Sequence, residues 1–174
     1  MPAGKDWGDL ALTFNRDQFA ARFRHPFLYS TQKLLQPERP QQTVKYDVTQ
    51  LVKTIDPNRP EGEGGPLVFP ILKVQQAFPS MITVGRTQNN DIIVDDVQVS
   101  KFHAFFRIDG ARIQLVDAGS SNGTRLRGDK LAPRAAPAPV RSGDLVAFGP
   151  IEFLVLSSAD CWNKLVADLD QWGD

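Results

Sequence analysis

Arg86, Ser100, Lys101, Ser121 and Asn122 carry the chemistry that this sequence offers most plainly. The arginine presents a planar fork of donors and the lysine a compact cation. The serines add hydroxyls, and the asparagine adds an amide able to pair with a peptide backbone. Together they suit an anion with several oxygens held on a chain. A phosphorylated side chain, with about −1.5 to −2 charges and three strong acceptors, could satisfy them at once. Gly123 permits a positive φ where the last cluster turns.

These residues must sit on loops, because strand-like runs flank them. ITVGR (82–86) alternates apolar and polar, DIIV (91–94) is β-branched, and HAFFRI (103–108) and RIQLV (112–116) flank Asp109-Gly110. An Asp-Gly pair between two such runs predicts a hairpin. On HAFFRI, Ala104, Phe106 and Ile108 share one face, and His103, Phe105 and Arg107 share the other. Ile113 and Leu115 repeat the pattern. An antiparallel sheet with functional loops at its ends is the expectation.

Gly85-Arg86, Ser100 and His103 in Ser-x-x-His, and Ser121-Asn122-Gly123-Thr124 occur in this order between strands. The set resembles the signature of the forkhead-associated (FHA) domain. Asn90-Asp91-Ile92, Gly128, Gly143-Asp144 and Phe148-Gly149 extend the resemblance over roughly residues 67 to 157. It implies an eleven-stranded antiparallel β-sandwich that binds phosphothreonine peptides without catalysis or cofactor, as an adaptor downstream of a serine/threonine kinase. By motif position, Arg86 and Ser100 bond the phosphate, Ser121 adds a hydroxyl and Lys101 a charge. Asn122 holds the peptide backbone. His103 braces the loops from beneath with Thr124 beside it, and Gly85 and Gly123 permit their conformation. One departure is Arg127-Gly128, where the family often has Asn-Gly.

Magnitudes fit such a ligand. Hydrogen bonds to a charged group contribute roughly 1.5–3 kcal/mol each, so three or four approach the roughly 8 kcal/mol of micromolar binding. One buried methyl contributes only about 0.8 kcal/mol. Strong selection of threonine over serine therefore needs a fitted methyl pocket, where a missing group costs about 1–3 kcal/mol.

Composition sets bounds on other functions. Lysine plus arginine and aspartate plus glutamate both number 20, so the formal net charge is zero. A general nucleic-acid or anionic-membrane binder would need a basic excess. The single cysteine, Cys161, excludes an internal disulfide and suits a reducing compartment. No apolar run reaches transmembrane length, and MPAGKDWGDL lacks the apolar core of a signal peptide, so a cytoplasmic protein is expected. Ser100 and His103 lack a Gly-x-Ser-x-Gly frame for hydrolysis. His25, His103 and Cys161 have no metal-ligand spacing, and Gly119 to Gly123 lacks the Gly-Lys pair of a phosphate-binding P-loop.

Along the chain, residues 1 to about 12 are expected to be loose. FNRDQFAARFRH reads as a helix capped by Asn15 and ended by Pro26. Its aromatic residues Phe14, Phe19, Phe23 and Phe27 are expected to dock on the sandwich. FLYSTQKLL fits either helix or strand, and TVKYDVTQLVKTI (43–55) reads as a strand followed by a helical turn. PNRPEGEGGP (57–66) reads as a linker, which places an extension at 1–66, the sandwich at 67–157 and a terminal helix at 158–174.

LVFPILKV (67–74) would be the first strand, with Pro70 marking an edge or a bulge. GDKLAPRAAPAPV (128–140) reads as a surface loop. DLVAF and IEFLVL form a closing hairpin around Gly149-Pro150. Ser157 to Asp160 resembles a capping box, and the helix behind it puts Trp162, Leu165, Val166 and Leu169 on one face. A phosphate-independent scaffold, using the extension and this helix to bind a protein, is the alternative function.

Overall fold

A computed structural model describes residues 7–30 and 66–172. Helices α1 (Trp7–Thr13) and α2 (Arg16–Arg22) lead into β1 (Phe27–Ser30). After the undescribed residues come β2 (Leu67–Pro70), β3 (Ile82–Gly85), β4 (Ile92–Ile93), β5 (Ala104–Asp109), β6 (Arg112–Asp117), β7 (Thr124–Leu126) and β8 (Asp129–Lys130). Strands β9 (Ala138–Val140), β10 (Leu145–Phe148) and β11 (Ile151–Leu156) follow, and then helix α3 (Ser158–Trp172). The eleven strands among the described residues form two sheets, ordered β2-β1-β11-β10-β7-β8 and β4-β3-β5-β6-β9. The expected mainly β sandwich is present. One pair departs from an antiparallel plan: β3 and β4 run parallel, with Val84 opposite Ile92.

Alternating side chains from both sheets fill the space between them. Leu28, Phe69, Val84, Ile92, Phe106, Leu115, Phe148 and Phe153 are among the buried contributors. On β5, Ala104 and Phe106 point into this core as read, while Ile108, on the same face, is 39% exposed and marks the core's edge. On the opposite face Phe105 stacks on Phe102, and the Arg107 guanidinium lies 5.4 Å from its ring centre. The β5–β6 register pairs Asp109 with Arg112, so the connecting residues are Gly110 and Ala111, with Gly110 at φ 57°. The closing hairpin is as expected, with Phe148 opposite Ile151 across Gly149-Pro150.

A second cluster lies on the back of the six-stranded sheet. There Phe27, Tyr29, Val68 and Leu156 meet Trp7, Ala11, Phe19, Cys161 and Leu165 from the helices, and Phe14, Phe23 and Trp162 pack around them. All four residues of β1 are buried because the sandwich covers one face and the helices the other. A strand buried on both faces shows no period-two pattern, which is why FLYS also fitted a helix.

Four expectations need correction or restriction. Residues 128–140, read as a surface loop, contain β8 and β9, and Val140 is buried in the core. Trp7–Thr13 is helical rather than loose, with Trp7 5.1 Å edge-to-face from Phe27. Strand β2 is not the first of the sandwich, because β1 precedes it and lies between β2 and β11. The reading of 43–55, and of the linker up to residue 65, lies outside the described residues. Pro70 does fall on an edge strand: among the described strands β2 ends its sheet and pairs only with β1.

The start of α2 is capped as read, but the helix ends at Arg22, with Phe23 as its C-cap, well before Pro26. Asn15 accepts the Gln18 amide at 2.9 Å, and the Gln18 side chain accepts the Asn15 amide in return. At α3 the Ser157 Oγ accepts the Asp160 amide, but the aspartate does not take the Ser157 amide as Glu or Gln does in a capping box. Ser142 bridges instead, accepting the Ser157 amide at 2.8 Å and donating its hydroxyl to Asp160 at 2.6 Å. No helix among the described residues is long and apolar enough to cross a membrane.

Candidate functional site

Three connections meet at one end of the sandwich: β3 to β4, β4 to β5, and β6 to β7. The first contact is backbone on backbone. A Cβ on Gly85 would stand 2.2 Å from the Lys101 carbonyl oxygen, so glycine is required there for space. Gly85 was expected to serve a special conformation, but its φ is not positive. Just beyond it, the Arg86 amide donates to Ser100 O at 3.0 Å and its Nε donates to Val99 O at 3.1 Å. The Nε bond fixes how the guanidinium is presented. Among the described residues its terminal nitrogens make no hydrogen bond.

His103 joins this corner to the next loop. It is fully buried, and its Nδ1 accepts the Ser100 amide at 3.0 Å, which requires Nδ1 to be unprotonated. Nε2 therefore carries the proton and donates to Gly123 O at 3.0 Å. Burial lowers the imidazole pKa below its usual value, against smaller raising effects from Gly123 and Asp117. Gly123 O also accepts the Gly149 amide at 2.9 Å. His103 thus links the Ser100 and Gly123 backbones, and Gly149 bonds to the same carbonyl.

The Ser120–Thr124 loop is organised by a residue the sequence reading passed over. Asp117, at the end of β6, accepts the Gly119 and Ser120 amides on Oδ2 at 2.8 and 3.1 Å. Its Oδ1 accepts the hydroxyls of Ser120 and Thr124, both at 2.6 Å. Burial by itself would raise this carboxyl's pKa, but the four hydrogen bonds hold it below the usual range. The available signal was an Asp two and three residues before Gly119-Ser120, the spacing of an Asx turn. Asn90 and Asp91, which belong to the motif resemblance, also anchor backbone. Asn90 Nδ2 donates to Lys101 O at 2.7 Å, and Asp91 accepts the Val74, Gln75 and Thr83 amides and Lys73 Nζ.

The predicted residues gather around this frame. Ser100 Oγ accepts the Ser121 amide at 3.0 Å, which brings the two serines and Arg86 to one corner. Ser121, Asn122 and Lys101 are exposed, and Arg86 and Ser100 are half-buried. Asn122 Nδ2 donates to Gln98 O at 2.8 Å, so part of its amide already spans the gap between loops. Gly123, at φ 82°, has the conformation expected of it, and Thr124 is buried at the start of β7. Arg127 and Gly128 both have positive φ, the two-residue turn pattern that favours Asn-Gly. Arg127 is held there by a 2.7 Å ion pair with Asp144. Among the described residues no cluster of His, Cys, Asp or Glu could hold a metal, and burial pushes the Cys161 thiol up to about 12.

A family model covers the segment that holds these loops. The FHA domain model matches residues 82–149. The glycogen accumulation regulator GarA of Mycolicibacterium smegmatis is 37% identical over 75 residues, covering 43% of this chain and 45% of that protein. An oxoglutarate dehydrogenase inhibitor of Corynebacterium glutamicum is 39% identical over 75 residues, covering 43% and 50%. The chain thus spans about half the length of the curated relatives it matches. The solution structure of an FHA domain from Arabidopsis thaliana is 29% identical, covers 55% of this chain and 75% of its own, and superposes with a TM-score of 0.44.

Proposed function

The chain carries an FHA domain at residues 82–149, and from that premise we propose that it binds threonine-phosphorylated proteins, as a non-catalytic adaptor in serine/threonine kinase signalling. Arg86 and Ser100 bond the phosphate, Ser121 and Lys101 complete its shell, and Asn122 holds the peptide backbone. Gly85, His103, Gly123 and Thr124 keep these groups in place. The observation that carries the reading is the Arg86 guanidinium. Its Nε is tied to Val99 O, its terminal nitrogens have no partner among the described residues, and it lies beside the linked Ser100 and Ser121. A fork fixed at its base and open at its tip is suited to bidentate binding of phosphate.

Relatives named as a regulator and an inhibitor accord with action by binding. A cytoplasmic location belongs to the same proposal, in keeping with a single buried cysteine. The scaffold alternative has less to work with, because Phe19 and Phe27 are fully buried against α3 and the sheet.

Calorimetry with matched phosphothreonine, phosphoserine and unmodified peptides, drawn from a degenerate phosphothreonine library, tests the reading. Phosphothreonine should bind near micromolar, phosphoserine at least about fourfold more weakly, and the unmodified peptide barely. Arg86→Ala should weaken phosphopeptide binding by about tenfold or more. Affinity should also fall from about pH 7 to pH 5, as the phosphate loses its second charge near pH 6. Equal binding of all three peptides, or an indifferent Arg86→Ala, would leave the scaffold reading in its place.

A further inference from the structure

Although the whole chain is formally neutral, two more cations lie against the Gly119–Gly123 loop, and neither belongs to the shell proposed for the phosphate. Lys130, on β8, runs across Gly123: a Cβ there would meet Lys130 Cε at 2.7 Å and Nζ at 3.4 Å. Arg134, from the segment expected to be only a surface loop, lays its guanidinium against Gly119, 3.2–3.4 Å from where a Cβ would stand. The two glycines thus leave the space that the two cations occupy. Arg134 is held by its own backbone, whose amide donates to Asp117 O at 2.9 Å, with φ at 55°. Side-chain residues rarely adopt that conformation unless the surroundings impose it. Its Nε reaches Ala118 O at 3.4 Å.

Among the described residues neither Lys130 nor Arg134 forms an ion pair. The Asp117 carboxylate beneath the loop is engaged by Ser120, Thr124 and the Gly119 amide. Charge arithmetic separates the two sets. A phosphate of about −1.5 to −2 is balanced by Arg86 and Lys101, so a singly phosphorylated ligand leaves the second pair without a counter-charge.

We propose, resting on the phosphothreonine reading, that Lys130 and Arg134 form a second anion subsite. It takes another acidic group of the same peptide, a carboxylate or a second phosphate, within a few residues of the phosphothreonine. The subsite sets which phosphothreonines are chosen, because a neutral-flanked site fills only half of the cationic surface around the loop. Guanidinium and ammonium groups resting on a loop backbone lose less freedom on binding than fully solvated ones.

The test uses the full chain and calorimetry. Three sets of singly phosphorylated peptides carry neutral, glutamate or lysine residues at each of about four positions on either side of the phosphothreonine, and a fourth set carries a second phosphothreonine. The wild-type chain should prefer glutamate over neutral flanks by about two- to fivefold at the best position, the range of an exposed ion pair. If a second phosphate raises affinity and glutamate does not, the anion is a phosphate; equal gains from both assign it to negative charge in general. In Lys130→Gln/Arg134→Gln the ratio of acidic to neutral affinity should fall to about one. In Lys130→Glu/Arg134→Glu, lysine flanks should become the preferred set, a gain that a misfolded variant cannot mimic. An unchanged ratio in both variants overturns the subsite while the phosphothreonine reading stands. Failure of the neutral-flanked phosphopeptide to bind the wild-type chain overturns both.

Discussion

The protonated Nε2 of His103 donates to the carbonyl oxygen of Gly123 at 3.0 Å, while Nδ1 accepts the Ser100 amide, so one neutral imidazole spans two of the loops at the proposed phosphate site. Protonating Nδ1 removes its acceptor and breaks the Ser100 bond. Burial lowers the folded-state pKa below the usual 6.5, so the unfolded chain takes up this proton first. The contribution of His103 to stability is therefore complete above about pH 6.5 and declines as pH falls through the lowered folded-state value. Melting temperatures recorded from pH 8 to pH 5 should show a plateau followed by a fall, and His103→Gln should lose part of that fall. Burial also lowers the His25 pKa. His25→Gln measured alongside isolates its share. An identical slope in wild type and His103→Gln would exclude His103 as a source of the fall.

Asp117→Asn should be among the more damaging single changes near the site. The substitution replaces a carboxylate that accepts four hydrogen bonds with an amide whose nitrogen meets donors. Bonds to a charged group contribute about 1.5–3 kcal/mol each, and relaxation recovers part of the loss. A net destabilisation of roughly 2–3 kcal/mol at pH 7 is expected from urea unfolding, with faster hydrogen exchange at the Gly119 and Ser120 amides. Because its folded-state pKa is depressed, the carboxylate's contribution persists above about pH 4 and is lost as pH falls below that. The gap between wild type and variant should narrow at pH 3, and a constant gap would rule out the charge as its source.

The parts of the fold that could be read from residues alone are those with one wet face. HAFFRI and RIQLV alternate because only one side of their sheet meets the core. Phe27–Ser30 escaped the same test because helices cover its second side. Helix α1 was missed for a related reason: seven residues are too few to show a helical period, and so short a helix holds only through packing such as Trp7 against Phe27. At the site, Arg86, Ser100 and Ser121 were visible because polar groups between strands have few structural uses. Asp117 was hidden at a strand end. Lys130 and Arg134 were hidden in an aperiodic proline and alanine run, where nothing local shows that the chain turns back over Gly119 and Gly123.

Two glycines separate crowding from backbone conformation. A methyl group at Gly85 would overlap the Lys101 carbonyl, at 2.2 Å, and would meet Asn90 Nδ2 at 2.7 Å. Neither can give way without opening the corner that seats Arg86. Gly110 has φ 57° but nothing within 4 Å of a Cβ. Gly110→Ala should therefore cost only the left-handed penalty of about 1–2 kcal/mol. Gly85→Ala should cost more than about 3 kcal/mol or prevent folding. Denaturant midpoints of the two variants, read together, check this. Similar small losses would mean that the Gly85 contact relaxes easily.

Trp162 tests whether the N-terminal helices are integral to the fold. Its indole Nε1 donates to two carbonyls at the end of α1 and just beyond it, Ala11 O at 3.0 Å and Phe14 O at 2.8 Å. Trp162→Phe keeps an aromatic ring on α3 but removes the donor, leaving both partly buried carbonyls without it. A loss of about 1–2 kcal/mol is expected, with amide exchange rising in residues 7–22 well before it rises in β5 or β6. The affinity for a phosphothreonine peptide should stay within about twofold of wild type, because the helices cover the back of the six-stranded sheet while Arg86 and Ser100 stand at the loop end. Weaker peptide binding in proportion to the lost stability would instead couple the helical layer to the loops. It would then assign α1 and α2 a part in recognition as well as in support.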